Sequence, residues 1–271
     1  MKDTREFKTI LVEADDSGLG RLTLNRPDRL NAVGATMLQE LAEAARWFDE
    51  HRDLRVVIVS GAGRAFCAGA DLQDSPLAAS EPQTAKSWLY RREAGQYGLR
   101  ASDAIEQMRA VTIAQVQGYA VGGGVVLTAI CDLRVVAEDA WFFIPEIDLG
   151  IPLAWGGIPK LVREIGPAMT KELVMTCRRF GAAEAKAIGF VNRVVPSAKL
   201  QDEVEALARE LLDKPSVPVA ITKEHVNAVT RAMSAGITAF ADGDVLLGAS
   251  TVEESRVAAR AYRERTLRKK S

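Results

Sequence analysis

Gln117-Gly118-Tyr119-Ala120-Val121-Gly122-Gly123-Gly124-Val125-Val126-Leu127-Thr128-Ala129-Ile130 is the stretch whose reading decides the fold. It follows Val111-Thr112-Ile113-Ala114-Gln115-Val116, a short β-branched run that reads as a strand. After the glycines, Val125 to Cys131 is almost wholly apolar and suits a short helix buried on all sides. Strand, glycine loop and buried helix aim free backbone N–H groups, at the positive end of the helix dipole, towards a ligand. A phosphate loop would need Gly-Lys-Ser/Thr, and that tripeptide is absent from the chain. An oxyanion forming on a carbonyl oxygen needs only aimed donors and room for close approach, so the stretch reads as one wall of such a site.

Working outward, a second small-residue segment follows the apolar run Val56-Val57-Ile58-Val59, which reads as a strand covered on both faces. This is Gly61-Ala62-Gly63-Arg64-Ala65-Phe66-Cys67-Ala68-Gly69-Ala70-Asp71-Leu72. Its opening Gly-x-Gly is similar to a dinucleotide fingerprint, but Phe66 stands where the third glycine belongs. The small residues at 68 to 70 instead mark a second place of close backbone approach. Upstream, Phe7–Glu13 and Leu19–Leu24 read as strands of a hairpin, and Ala35–Glu50 as a helix. The segment from Gln73 to Arg109 reads as a mobile loop in its first part and as helix later.

Downstream, strands are expected at Leu133–Ala137, Ala140–Phe143 and Val191–Val195. Helices are expected at Lys160–Ile165, Ala168–Thr176 and Ala182–Ile188, the last closed by Gly189. Beyond residue 197 the pattern is helical throughout, with Leu200, Val204, Leu207, Ala208, Leu211 and Leu212 on one face. We therefore expect a core over 1–197 and a helical region over 198–271 that packs on the core or on another subunit.

The 35 basic and 36 acidic residues leave a net charge of −1, which argues against a nucleic-acid partner or an anionic membrane surface. Three dispersed cysteines fit neither a disulfide framework nor a zinc site, and no apolar run has the length of a membrane span. Together with a polar N-terminus, this gives the expectation of a cytoplasmic chain without metal.

The ordered set Asn25-Arg26-Pro27, Leu30-Asn31-Ala32, Ala65 to Leu72 and Gly118 to Gly124 closely resembles the crotonase, or enoyl-CoA hydratase/isomerase, superfamily. Asp132, Pro145-Glu146, Leu149-Gly150-Ile151-Pro152, Ala182 to Ala185, Gly189 to Pro196 and Thr222-Lys223-Glu224 continue the match. The resemblance implies an α/β spiral of β-β-α repeats with a C-terminal helical oligomerisation region, assembled as a trimer or hexamer. It implies an acyl-CoA thioester as ligand, with coenzyme A carried by the substrate and no separate cofactor. The CoA would lie near Arg29, Leu30, Ala68, Asp71 and Leu72, and the thioester oxygen against the N–H groups of Ala70 and Gly123, with Gly122 beside them.

Glu146 is the expected acid/base. Phe142, Phe143, Ile144, Pro145, Ile147 and Leu149 surround it in sequence, a setting that raises a carboxyl pKa. The family's hydratases carry a second glutamate two residues after the last glycine, where this chain has Val126. One carboxylate suffices to move a proton from C2 to C4 of a 3-enoyl thioester, so isomerisation is the first expectation. Hydration or another enolate-forming reaction is the second, and acyl-CoA binding without chemistry the third. Asp148 has no assigned direction. His51 reads as solvated, His225 as unpartnered, Cys67 as a buried filler, and the arginines from Arg256 to Arg268 as a solvated face. Trp155 and the 73–109 segment are candidates for the far end of the acyl pocket.

Overall fold

Alternation in Ile10–Asp15 buries Ile10, Val12 and Ala14 on one face, and the same period in Leu19–Leu24 buries Leu22 and Leu24, so the two segments pair. In the computed structural model, which describes residues 2–71, 85–234 and 237–268, these are β2 and β3, preceded by β1 (Lys2–Glu6). The expected helix is α1 (Ala35–Glu50), whose Met37, Leu41, Ala44, Ala45 and Phe48 are buried. There follow β4 (Val56–Gly61), α2 (Ala85–Gly95), α3 (Tyr97–Glu106), β5 (Val111–Val116), β6 (Tyr119–Val121) and α4 (Gly123–Ala129). Then come β7 (Leu133–Ala137), β8 (Trp141–Phe143), α5 (Gly157–Thr176), β9 (Phe180–Gly181), α6 (Ala182–Ala187) and β10 (Arg193–Val195). The chain ends in α7 (Leu200–Leu212), α8 (Ser216–Ser234), α9 (Ile237–Thr251) and α10 (Glu253–Arg268).

Two sheets result. The larger has the order β1-β2-β3-β4-β5-β7-β10, antiparallel from β1 to β3 and parallel from β3 onward. The smaller is β6-β8-β9. Each turn of the chain lays one strand in the large sheet, one in the small sheet, and then a helix: β5-β6-α4, then β7-β8-α5. An isolated parallel bridge between Cys67 and Ala120 adds the segment after β4 to the small sheet, so the same step occurs there. This is the spiral α/β architecture expected from the sequence, followed by a helical C-terminal region.

The expected break between two helices lies inside α5, where Gly166 at φ 74°, ψ 166° interrupts the span before Pro167. Two local readings need correction. α4 starts two residues earlier than the apolar run, its glycines being helical, and all seven of its residues are buried. His51 is not free in solvent: it donates from Nδ1 to the Trp47 carbonyl at 2.8 Å, and its Nε2 lies 2.8 Å from Asp3. The Trp47 carbonyl, then Asp3, holds its pKa above the ordinary range. The reading of the first part of 73–109 as a mobile loop, and Leu72, lie outside the described residues.

The C-terminal helices are not equivalent. α7 buries Leu200, Val204, Leu207 and Ala208 in the main core. α8 is tied down by Lys223, whose ammonium donates to Asp132 and to the Ala110 carbonyl, both at 2.7 Å. Its Val217, Ile221, Val226, Val229 and Met233 remain exposed.

Candidate active site

Segment 66–71 is stitched into the fold from both sides. Phe66 and Cys67 donate to the carbonyls of Gln117 and Tyr119, while Ala68 and Asp71 donate to those of Leu30 and Val33. Gly69, at φ +87°, interrupts the alternation, and its N–H meets the Cys67 sulfur at 3.4 Å. That leaves the Ala70 N–H, which finds no acceptor among the described residues. Across from it, Gly122 donates to the Phe143 carbonyl at 2.7 Å, and the Gly123 N–H opens α4 with no helical partner available to it. The two segments touch: a Cβ on Gly69 would stand 3.7 Å from the Gly123 nitrogen and 2.6 Å from the Val121 oxygen. Glycine at 69 is therefore needed both for its φ and for the approach.

Glu146 is set by a tight turn. Its carbonyl accepts the N–H groups of Leu149 and Ile151, at 3.1 and 3.0 Å, which curls Pro145–Ile151 and turns the carboxyl inward. Glu146 is 8% exposed while Ile147 and Asp148 face solvent, which settles the direction of Asp148 away from the site. One carboxyl oxygen lies against Gly122 so closely that a Cβ there would overlap it, and the other, Oε2, is buried without a hydrogen-bond partner. Burial drives the Glu146 pKa up to about 7, offset only in part by its own backbone N–H. The Tyr262 hydroxyl of α10 and the Cys177 thiol lie near enough to feel it: burial raises both, and the Glu146 charge adds to the rise.

Ala70, Asp71, Gly123 and Glu146 line one cavity of about 120 Å³, together with Val33, Leu38, Leu153, Trp155 and Leu246. Asp71 does not face it as a free carboxylate, because Arg26 donates to it at 2.9 Å and also holds the Ala32 carbonyl. Val126, fully buried, packs against Gly157 and is not part of the lining. Leu30 touches the site through its carbonyl bond to Ala68, and Arg29 is exposed beside it. Cys67 is a buried filler with its pKa pushed up to about 12 by burial. His225 is exposed, and no cluster of metal-ligating side chains occurs among the described residues. A larger cavity of about 600 Å³ under α8 holds the ion pairs of Lys223 with Asp132 and Arg163 with Glu106, and none of the residues singled out for chemistry.

Asn31 is the residue whose part the sequence reading missed. Fully buried, it donates to the carbonyls of Ala62 and Ala65 at 2.9 Å and accepts the Arg26 N–H, so it holds the loop that leads into Ala70. Its signal was an asparagine amid apolar positions at φ 56°, a backbone region that asparagine tolerates better than most residues.

With this geometry in hand, the relatives become informative. A family profile described as enoyl-CoA hydratase/isomerase matches residues 14–269. A probable enoyl-CoA hydratase from Mycobacterium bovis is 36% identical over 260 residues, covering 92% of this chain and 96% of its own. A peroxisomal Delta(3,5)-Delta(2,4)-dienoyl-CoA isomerase from Arabidopsis thaliana is 36% identical over 224 residues, covering 80% and 81%. Among solved structures, an enoyl-CoA hydratase/isomerase from Xanthobacter autotrophicus Py2 superposes with a TM-score of 0.85 at 28% identity, covering 97% of this chain and 96% of its own. The chain belongs to the enoyl-CoA hydratase/isomerase family, and it is an enzyme of the crotonase superfamily.

Proposed function

We propose that the enzyme acts on an acyl-CoA thioester and shifts the double bond of a 3-enoyl-CoA to the 2 position. The carboxylate of Glu146 takes a proton from C2, and the electron pair moves through the carbonyl carbon onto the thioester oxygen. The N–H groups of Ala70 and Gly123 hold that enolate oxygen, each such donor being worth roughly 3–4 kcal/mol in a water-poor site. Glu146 then returns its proton to C4 as the enolate collapses, leaving the double bond at C2. The observation that carries this reading is Glu146: a buried carboxyl with no cation beside it among the described residues, its pKa pushed up to about 7 by burial, next to two N–H donors for which the described residues offer no acceptor. The chemistry needs no metal and no cofactor besides the coenzyme A of the substrate, whose adenosine end is assigned to the Arg29, Leu30, Ala68 and Asp71 region. Assembly as a homotrimer or hexamer belongs to the same reading, supported by the exposed apolar side chains of α8.

Hydration of a 2-enoyl-CoA is the second reading, because several relatives are named hydratases and Asp71 puts a second carboxyl on the cavity. The Asp71–Arg26 pair and Val126 weigh against it. Purified protein given 3-enoyl-CoA and 2-enoyl-CoA separates the two. Isomerisation that falls roughly 10³-fold in Glu146→Gln fits the proposal. Water addition to 2-enoyl-CoA, read by mass, would replace it with the second reading. Tight binding without turnover of either thioester would mean a binding protein.

A further inference from the structure

Trp155 stands at φ +62°, in the left-handed region that bulky residues seldom occupy, and Gly156 follows at φ +67°. Asp242 of α9 holds this turn, accepting the N–H of Gly156 at 3.3 Å and that of Trp155. The consequence is the position of the indole. Its six-membered edge lies on Gly123 and its Cδ1–Nε1 edge on Gly98 of α3, each so closely that a Cβ on either glycine would overlap the ring. The ring thus spans the gap between α3 and α4, and two glycines leave the room that it fills.

We propose that Trp155 is the stop at the end of the acyl pocket, and that the enzyme selects short-chain enoyl thioesters of about four to six carbons. The inference rests on the enoyl thioester reading of the site. The cavity is small, about 120 Å³ against the roughly 300–1,000 Å³ usual for ligand pockets, so it has room for only a short acyl chain beyond the thioester carbonyl. Leu38, Ala94, Leu153 and Leu246 complete the apolar wall, and all are buried in packed structure. The indole is held in place by the contacts of its two edges with Gly98 and Gly123 and by the Asp242 bonds to its backbone turn.

The test compares kcat/KM for four-, six-, eight- and ten-carbon 3-enoyl-CoA substrates in the wild type, Trp155→Phe and Trp155→Ala, each checked for a cooperative thermal transition. The wild type should fall steeply beyond six carbons. Trp155→Ala should raise the ten-to-four-carbon ratio at least tenfold, since each newly buried methylene is worth roughly fourfold. Trp155→Phe should lie between them and serves as the test if the alanine variant does not fold. Equal turnover of four- and ten-carbon substrates by the wild type would overturn the proposal, as would an unchanged ratio in folded variants. If no 3-enoyl-CoA of any length turns over, the isomerase reading fails by itself. The ratio of dissociation constants for butyryl-CoA and decanoyl-CoA in the three proteins then decides the pocket question by the same criterion.

Discussion

Two regions of the molecule each bury a glutamate, and they hold it in opposite states. At the cavity, Glu146 is 8% exposed, has one carboxyl oxygen without a partner, and has its pKa pushed up to about 7 by burial. Between α3 and α5, Glu106 is 4% exposed, with the Lys160 ammonium at 3.3 Å and the Arg163 guanidinium at 2.6 Å. Burial also pushes Glu106 up, but Lys160 and then Arg163 outweigh it and leave its pKa below the ordinary value. Burial alone therefore does not make a carboxylate into a base. The absence of a compensating cation does: among the described residues the fold supplies cations to the structural glutamate and none to the one at the cavity.

The comparison can be broken from either side. Glu106→Gln should cost the most, about 3–4 kcal/mol of unfolding free energy, because it leaves Lys160 and Arg163 buried beside a neutral group. Denaturant unfolding at neutral pH reads it, and a loss under 1 kcal/mol would mean that the node is not what holds α3 to α5. Glu146→Gln should go the other way. A carboxyl whose folded pKa lies above its unfolded value of 4.5 destabilises the protein increasingly as pH rises from about 4.5 to about 7. The glutamine variant should therefore be more stable than the wild type by up to about 3 kcal/mol at about pH 8, the gap closing below about pH 4.5. Lys160→Met should have the smallest effect, about 1–2 kcal/mol, since Arg163 still pairs with Glu106, and it should move the Glu106 titration upward towards that of Glu146. Carboxyl-resolved NMR titration of the variant checks the direction.

The sequence showed the elements of the spiral because β2, β3 and α1 follow period 2 and period 3.6, while β4 and β5 are short continuous apolar runs covered on both faces. It also placed Ala70, Gly123 and Glu146, which the fold brings to one cavity. β1 was invisible because Lys-Asp-Thr-Arg-Glu has no apolar face, as befits an edge strand guarded by charge. Trp155 was noticed but could not be placed. Its effect depends on a left-handed backbone and on two glycines distant in sequence, Gly98 and Gly123, which no local pattern connects. The Glu106 node was hidden for the same reason: Lys160 and Arg163 lie more than fifty residues downstream of their partner.

The most direct measurement is the pH profile of kcat/KM for the isomerisation of a short 3-enoyl-CoA. If Glu146 is the lone base, the rate constant should rise about tenfold per pH unit on the acid side and level off through a single inflection near pH 7. An inflection near the ordinary carboxylate value of 4.5, or a profile flat from about pH 5 to 8, would contradict the account.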